Sequence, residues 1–202
     1  MKLSLFKHRK KVTGLRKYSY YEFLVLFAAC SKKHQEEILG ELANAPKPNF
    51  ICDKEVPKTL NMLTYGQLDD LSDAGDGRDA NAVILEVIMG LTKEQIYTMN
   101  VVDVFGFNNF VKEEVKRINA LFDSIKLDHT QDEVSAGIED MNFGSFGVLD
   151  WYARRMGITN QNEVREVAWV RIYKCMKNDN EKTAYERRLN QQLINRAKTK
   201  RK

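Results

Sequence analysis

The stretch GIEDMNFGSFGVLDWYARRMGITNQNEVREVAWVRIYKC, residues 137–175, holds both tryptophans of the chain, Trp151 and Trp169, and four of its eleven glycines. Its pattern predicts two amphipathic helices joined by a capped turn. The first runs from about Phe146 to Met156, with Val148, Leu149, Tyr152 and Met156 at helical spacing and Gly157 placed to end it in a left-handed cap. The second starts after Asn160, whose side chain and Glu163 form a capping box. Val164, Val167, Val170, Ile172, Tyr173 and Met176 then make its apolar stripe. Rings at this density need cover, either from other helices of this chain or from another protein.

Working outward, proline is confined to three positions between Pro46 and Pro57. The rest of the chain therefore lacks the strongest helix breaker. The expected fold is all-α, a compact multi-helix bundle of short-to-medium helices with basic terminal tails. Toward the N-terminus, Ser19 is placed to cap a helix over YYEFLVLFAACSKK, apolar nearly all round and so expected deep in a core. The more polar helix KHQEEILGELA follows. NAPKPNFICDKEVPK then reads as a linker with extended backbone before each proline. Thr64 with Gln67, Thr92 with Gln95 and Thr130 with Glu133 each suit a capping box, and ANAVILEVIM should stop at Gly90. The longest helix of the body is expected in VVDVFGFNNFVKEEVKRINALFDSIK, where Phe107, Phe110, Val111, Val115, Ile118, Leu121, Phe122 and Ile125 keep its period. In FGFNNF and FGSFG, glycine should permit a sharp turn with both aromatics pointing inward. The domain reading is a basic arm and helical hairpin over 1–45, a linker over 46–58, a main body over 59–176, and an amphipathic terminal helix with a basic tail over 177–202.

Charge follows that division. Residues 1–17 carry seven Lys/Arg and no acid, and residues 177–202 carry nine against three acids, so the ends sum to +13 while the chain is +4. The middle is therefore −9: two basic tails on an acidic body rather than a basic domain. The longest apolar run, Phe23 to Cys30, is well short of the roughly 20 residues a membrane span needs, and no membrane association or secretory signal is expected. Three cysteines at irregular spacing suit reduced thiols. Cys30 and His34 fall four apart on an expected helix, but two ligands do not make a zinc site. DAGDGRD lacks the spacing and the closing glutamate of a calcium loop. No phosphate-binding or nucleophile–base motif is found, so neither catalysis nor a metal or cofactor is expected.

The basic C-terminus suggests a salt-dependent nucleic-acid contact through Arg187, Arg188, Arg196, Lys198, Lys200 and Arg201. A helix-turn-helix over Phe146–Met176 is weakened by Glu163 and Glu166, which stand where a recognition helix faces the groove.

Two segments carry a resemblance. LTYGQLDDLSDA, with VIMGLTKEQIYTMNVVDVFGFNNFVKEEVKRINALF, resembles small helical proteins coded in the tail-morphogenesis regions of tailed bacteriophages of Bacteroides-type hosts. SAGIEDMNFGSFGVLDWYARRMGITNQNEVREVAWVRIYKCMKNDNEKTAYERRL is similar to the C-terminal part of the same group. The match spans about residues 64–190 and leaves the first 60 uncovered. The resemblance implies a tail assembly chaperone that keeps a long helical tape-measure protein in solution in the host cytoplasm. Its partners would be other phage structural or assembly proteins, or further copies of itself. The alternative is a structural protein retained in the virion at the head or tail interface. Phe143, Phe146, Trp151, Tyr152, Trp169 and Tyr173 would contact the partner, with Tyr185 and Leu189 on the terminal helix joining by helix-in-groove packing. Taken one residue at a time, the same rings are more readily accounted for as core.

Overall fold

A computed structural model describes residues 12–72, 79–141 and 143–200. Most of the basic arm, the DAGDGR portion of the glycine-rich loop, and Arg201 lie outside the described residues. Among them the fold is all-α apart from one two-stranded hairpin. The chain divides into two compact units, one comprising residues up to Leu60 together with Gln67–Lys116, the other Asn61–Gly66 together with the chain from Arg117 onward.

The first unit contains helices α1 (Val12–Leu15), α2 (Tyr20–Ala28) and α3 (Lys32–Leu42), the hairpin strands β1 (Phe50–Ile51) and β2 (Lys54–Glu55), most of α4 (Tyr65–Ser72), α5 (Ala80–Met89), α6 (Lys93–Thr98), and α7 (Val101–Ser124) as far as Lys116. Local chemistry sets several of its helix ends. Ser19 and Glu22 form a reciprocal capping box on α2, and Thr92 and Gln95 do the same on α6. Gly90 ends α5 at φ 60°, the left-handed conformation that costs glycine nothing. The starts of α2 and α7 are tied together: the Tyr20 N–H donates to the Met99 carbonyl at 2.7 Å, the Val101 N–H to the Tyr18 carbonyl at 3.2 Å, and Asn100 caps α7 through the Val102 N–H.

Helix α2 is not buried all round. Tyr20 and Phe23 are sealed, with Phe23 edge-on to Phe105 at 5.6 Å, whereas Tyr21 and Val25 on the other side are exposed. The helix also ends at Ala28, so Cys30 and His34 do not share it. The Cys30 thiol instead lies 3.3 Å from the Leu26 carbonyl.

The proline-containing stretch, expected as a linker, packs along α7. The Lys47 ammonium sits 3.7 Å over the Phe110 ring, the Leu60 N–H donates to Glu114, and Asn109 donates to the Leu42 and Ala43 carbonyls that end α3. Gly106 lies inside α7, not in a turn. A methyl group there would fall 2.0 Å from the Pro46 carbonyl oxygen. Glycine is thus what lets this backbone lie against the helix.

A partly buried polar chain links residues of the same unit. The Tyr20 hydroxyl donates to Asp79 at 2.7 Å and accepts from Asn81, which in turn accepts from Asn108 at 2.8 Å. Burial, and then the hydrogen bond to Asp79, push the Tyr20 hydroxyl above the ordinary tyrosine range. Its neutral form therefore stabilises the fold fully below about pH 10, and that contribution is lost as the pH rises beyond it. Tyr20→Phe should cost about 1–3 kcal/mol at neutral pH, because Asp79 and Asn81 each lose the hydroxyl as one of their partners. Urea unfolding of both proteins through the alkaline range should show that difference shrinking. A constant difference would contradict the role of the hydroxyl proton.

Candidate partner-binding surface

The second unit carries every residue expected to meet a partner. It comprises Asn61–Gly66, the last turns of α7, α8 (Gln131–Ser135), a 3-10 turn Ile138–Asp140, α9 (Gly144–Met156), α10 (Asn162–Arg165) and α11 (Trp169–Lys200). Thr130 and Glu133 make the expected capping box on α8, and Gly157 ends α9 at φ 69°.

The helix expected from Asn160 to Met176 is broken. Asn160 does not cap it in the expected box. Its side chain accepts from the Asn162 N–H, and only the single turn α10 follows. Residues 167–169 pair with the segment entering α4: the Tyr65 N–H donates to Val167, the Trp169 N–H donates to Leu63, and Thr64 bridges Ala168. Those backbone groups are committed to a neighbour 102 to 106 residues away in sequence, which overrides a helical pattern that is locally sound. The close fit extends to Gly66, where an added methyl would come 2.9 Å from the Arg165 Cβ.

Past that break, α11 runs for 32 residues, about 48 Å, with no boundary near residue 177. At about 100° per residue, Trp169, Ile172, Tyr173, Met176, Asn180 and Arg187 fall along one side. The unit is gathered on that side. Trp169 is 1% exposed, 6.1 Å from Phe122, with the Arg117 guanidinium 6.0 Å from its ring. Tyr173 is half-buried and edge-on to Phe122 at 5.5 Å. Asn180 donates to the Ile125 carbonyl at 2.7 Å. Arg187 donates to the Asp128 carbonyl at 2.9 Å and to Glu133 at 2.8 Å. Helix α9 is clamped to α11 by a two-pronged pair, Arg155 to Asp179 at 2.8 and 3.1 Å. That hydrogen-bonded carboxylate raises the Arg155 pKa. The Thr130 backbone N–H, ahead of the Arg187 charge, holds the Glu133 carboxyl below its usual range.

The eight candidate contact residues therefore fall into three groups. Tyr152 and Trp169, each 1% exposed, are core and present no surface to a partner, contrary to expectation. Trp151 and Tyr173 are half-buried. Phe143, Phe146, Tyr185 and Leu189 are exposed, at 65%, 59%, 58% and 40%. The FGSFG motif thus turns both aromatics outward, opposite to the expected turn with buried rings. Gly144 is needed for its φ of 52°, and at Gly147 a methyl would come 2.7 Å from the Phe143 Cβ. Sequence reasoning understated one residue and gave no role to another. Leu193 at 52% continues the Tyr185–Leu189 line in four-residue steps, and Met141 at 56% lies just ahead of Phe143. That spacing already puts Leu193 on the thin apolar stripe read from the sequence of the terminal helix.

Of the basic residues considered for nucleic acid, Arg187 is engaged with Glu133 and Asp128, while Arg188, Arg196 and Lys198 are exposed on α11, which continues to Lys200. Among the described residues no group of three or more His, Cys, Asp or Glu side chains is placed to hold a metal ion, and no helix is long and apolar enough to cross a membrane. No protein-family model, curated protein or solved structure matches the chain.

Proposed function

We propose that this chain is a non-enzymatic assembly protein that holds an elongated helical partner, acting as a tail assembly chaperone for a tape-measure protein. One observation carries the reading. Every residue of α11 from Arg188 to Thr199 is exposed, and Tyr185, Leu189 and Leu193 line one side of that span and of the turn before it. A single helix in water is marginal without something packed on it. Full cover is worth about 1.5–3 kcal/mol for each large apolar side chain, so a partner laid along this side would gain from both terms. Phe143 and Phe146 add exposed aromatic area within the same unit. The resemblance over residues 64–190 supplies the kind of partner.

Co-expression with the tape-measure protein of the same gene region tests the reading. The tape-measure protein should stay in the soluble fraction and co-elute with this chain, and it should precipitate when expressed alone. Unchanged solubility would end the proposal. Mass spectrometry of purified particles separates a transient chaperone, depleted from finished virions, from a structural component present in stoichiometric amount.

A further inference from the structure

We propose that the outer side of α11, centred on Tyr185, Leu189 and Leu193, receives an acidic amphipathic helix; this rests on the reading of α11 as the docking element and adds the chemistry of its occupant. The side is defined by geometry. Tyr185, Leu189 and Leu193 fall within about 80° of one another around the helix axis, roughly 120–160° from Arg187. Because Arg187 is bonded to Glu133 and Asp128, the three apolar residues point away from the side that holds α11 to its own unit. They are 58%, 40% and 52% exposed. Four-residue steps of this kind accept one facing helix with apolar residues at matching spacing.

Charge selects among possible helices. From Lys182 to Lys200 the chain holds six basic residues and one acid, Glu186. The two acids beside the stripe are already paired, Glu186 with Lys182 at 3.9 Å and Glu181 with Lys177 at 3.7 Å, so the charges left to meet a partner there are basic. Arg188 flanks it on one edge, and Arg196 falls in line with it one turn beyond Leu193. A second copy of α11 would bring the same positive charge to the same place, and like charges across a helix pair oppose association. A partner helix with Glu or Asp beside its apolar seam satisfies both features, since flanking charges set partner choice in paired helices. A polyanion without an apolar face satisfies only one.

The test uses the full chain and a labelled synthetic peptide of about three heptads with Leu at the seam positions and Glu at the flanking ones. Fluorescence anisotropy should show micromolar binding, weakened several-fold between about 50 and 300 mM salt. The matching peptide with Lys at the flanks should bind at least tenfold more weakly. Leu189→Gln with Leu193→Gln should also cost at least tenfold. Both positions are exposed, so the unfolding midpoint should stay unchanged. Arg188→Glu with Arg196→Glu should invert the preference between the two peptides. Equal binding of the two peptides, or full binding by the double glutamine variant, would overturn the proposal. So would single-stranded DNA binding that matches the Glu peptide and survives the glutamine changes, since the helix would then be a nucleic-acid contact. Sedimentation should give a monomer at micromolar concentration, and a dimer abolished by the glutamine changes would assign the stripe to self-association. Glu-peptide binding without tape-measure solubilisation would remove the chaperone reading alone, and the reverse result would remove this charge assignment alone.

Discussion

Gly106→Ala is expected to lower stability by about 3 kcal/mol, although alanine is the better helix former by about 1 kcal/mol. The two effects oppose each other, and the distances decide between them. An alanine methyl at this point of α7 would meet the Pro46 carbonyl oxygen at 2.0 Å and its carbon at 2.8 Å. Carbon atoms rest at about 3.5–4.0 Å, so helix and backbone would have to part by more than about 1 Å. What they would break is known. Asn109 bonds to the end of α3, and Lys47 sits over Phe110, on either side of the contact. Neither tolerates such a shift, and both atoms in the way are backbone with no rotamer to change. Gly40 in α3 provides the control, because nothing lies within 4 Å of a methyl added there. Gly40→Ala should stabilise by about 0.5–1 kcal/mol. Urea or thermal unfolding should therefore move in opposite directions for the same chemical change at two helix-interior glycines. A stabilising Gly106→Ala would show that the chain over residues 45–47 is free to move off α7.

The contrast between Gly40 and Gly106 also marks what a sequence can convey. Both are glycines inside helices, and the flanking phenylalanines that suggested a turn at Gly106 say nothing of the Pro46 backbone that packs there. Signals that act within one helical turn were legible: the boxes Thr92–Gln95 and Thr130–Glu133, the Ser19 cap, and the left-handed stops at Gly90 and Gly157. So was the all-α class, which follows from scarce proline and repeated caps. What failed was set from far away in the chain. The break at Glu166–Ala168 arises because Leu63 and Tyr65 take the backbone bonds there, and a local stripe of valines gives no hint of it. Conversely, no competing backbone arrives near residue 177, so α11 continues through a change in composition that read as a boundary. Ring density around Trp151 and Trp169 marked the candidate surface, yet density does not fix direction. The exposed apolar residues are the rings at the start of α9 and those along the far part of α11, while the most conspicuous ring is sealed.

That ring gives the second large effect. Trp169→Ala should cost about 3–5 kcal/mol, the range for removing a buried aromatic. Trp169 is 1% exposed, it meets Phe122 and Tyr173 at 6.1 and 6.3 Å, and the Arg117 guanidinium lies 6.0 Å from its face. Loss of the indole leaves a cavity between three side chains on two helices that the Leu63 backbone bond prevents from closing freely. Trp169→Phe retains a ring against Phe122 and should lose well under half as much. Chemical unfolding, followed through the half-buried Trp151 as reporter, measures both. The variant also separates a core role from a contact role. A domain of ordinary stability, about 5–15 kcal/mol, can stay largely folded after the loss. A sealed residue should then leave affinity for a bound helix within about twofold, once the folded fraction is taken into account. The Leu189 and Leu193 changes should do the reverse, weakening the complex while leaving the unfolding midpoint in place. If Trp169→Ala abolished binding by folded protein, α11 would have to leave its seat to engage its partner, and the indole would be a contact after all.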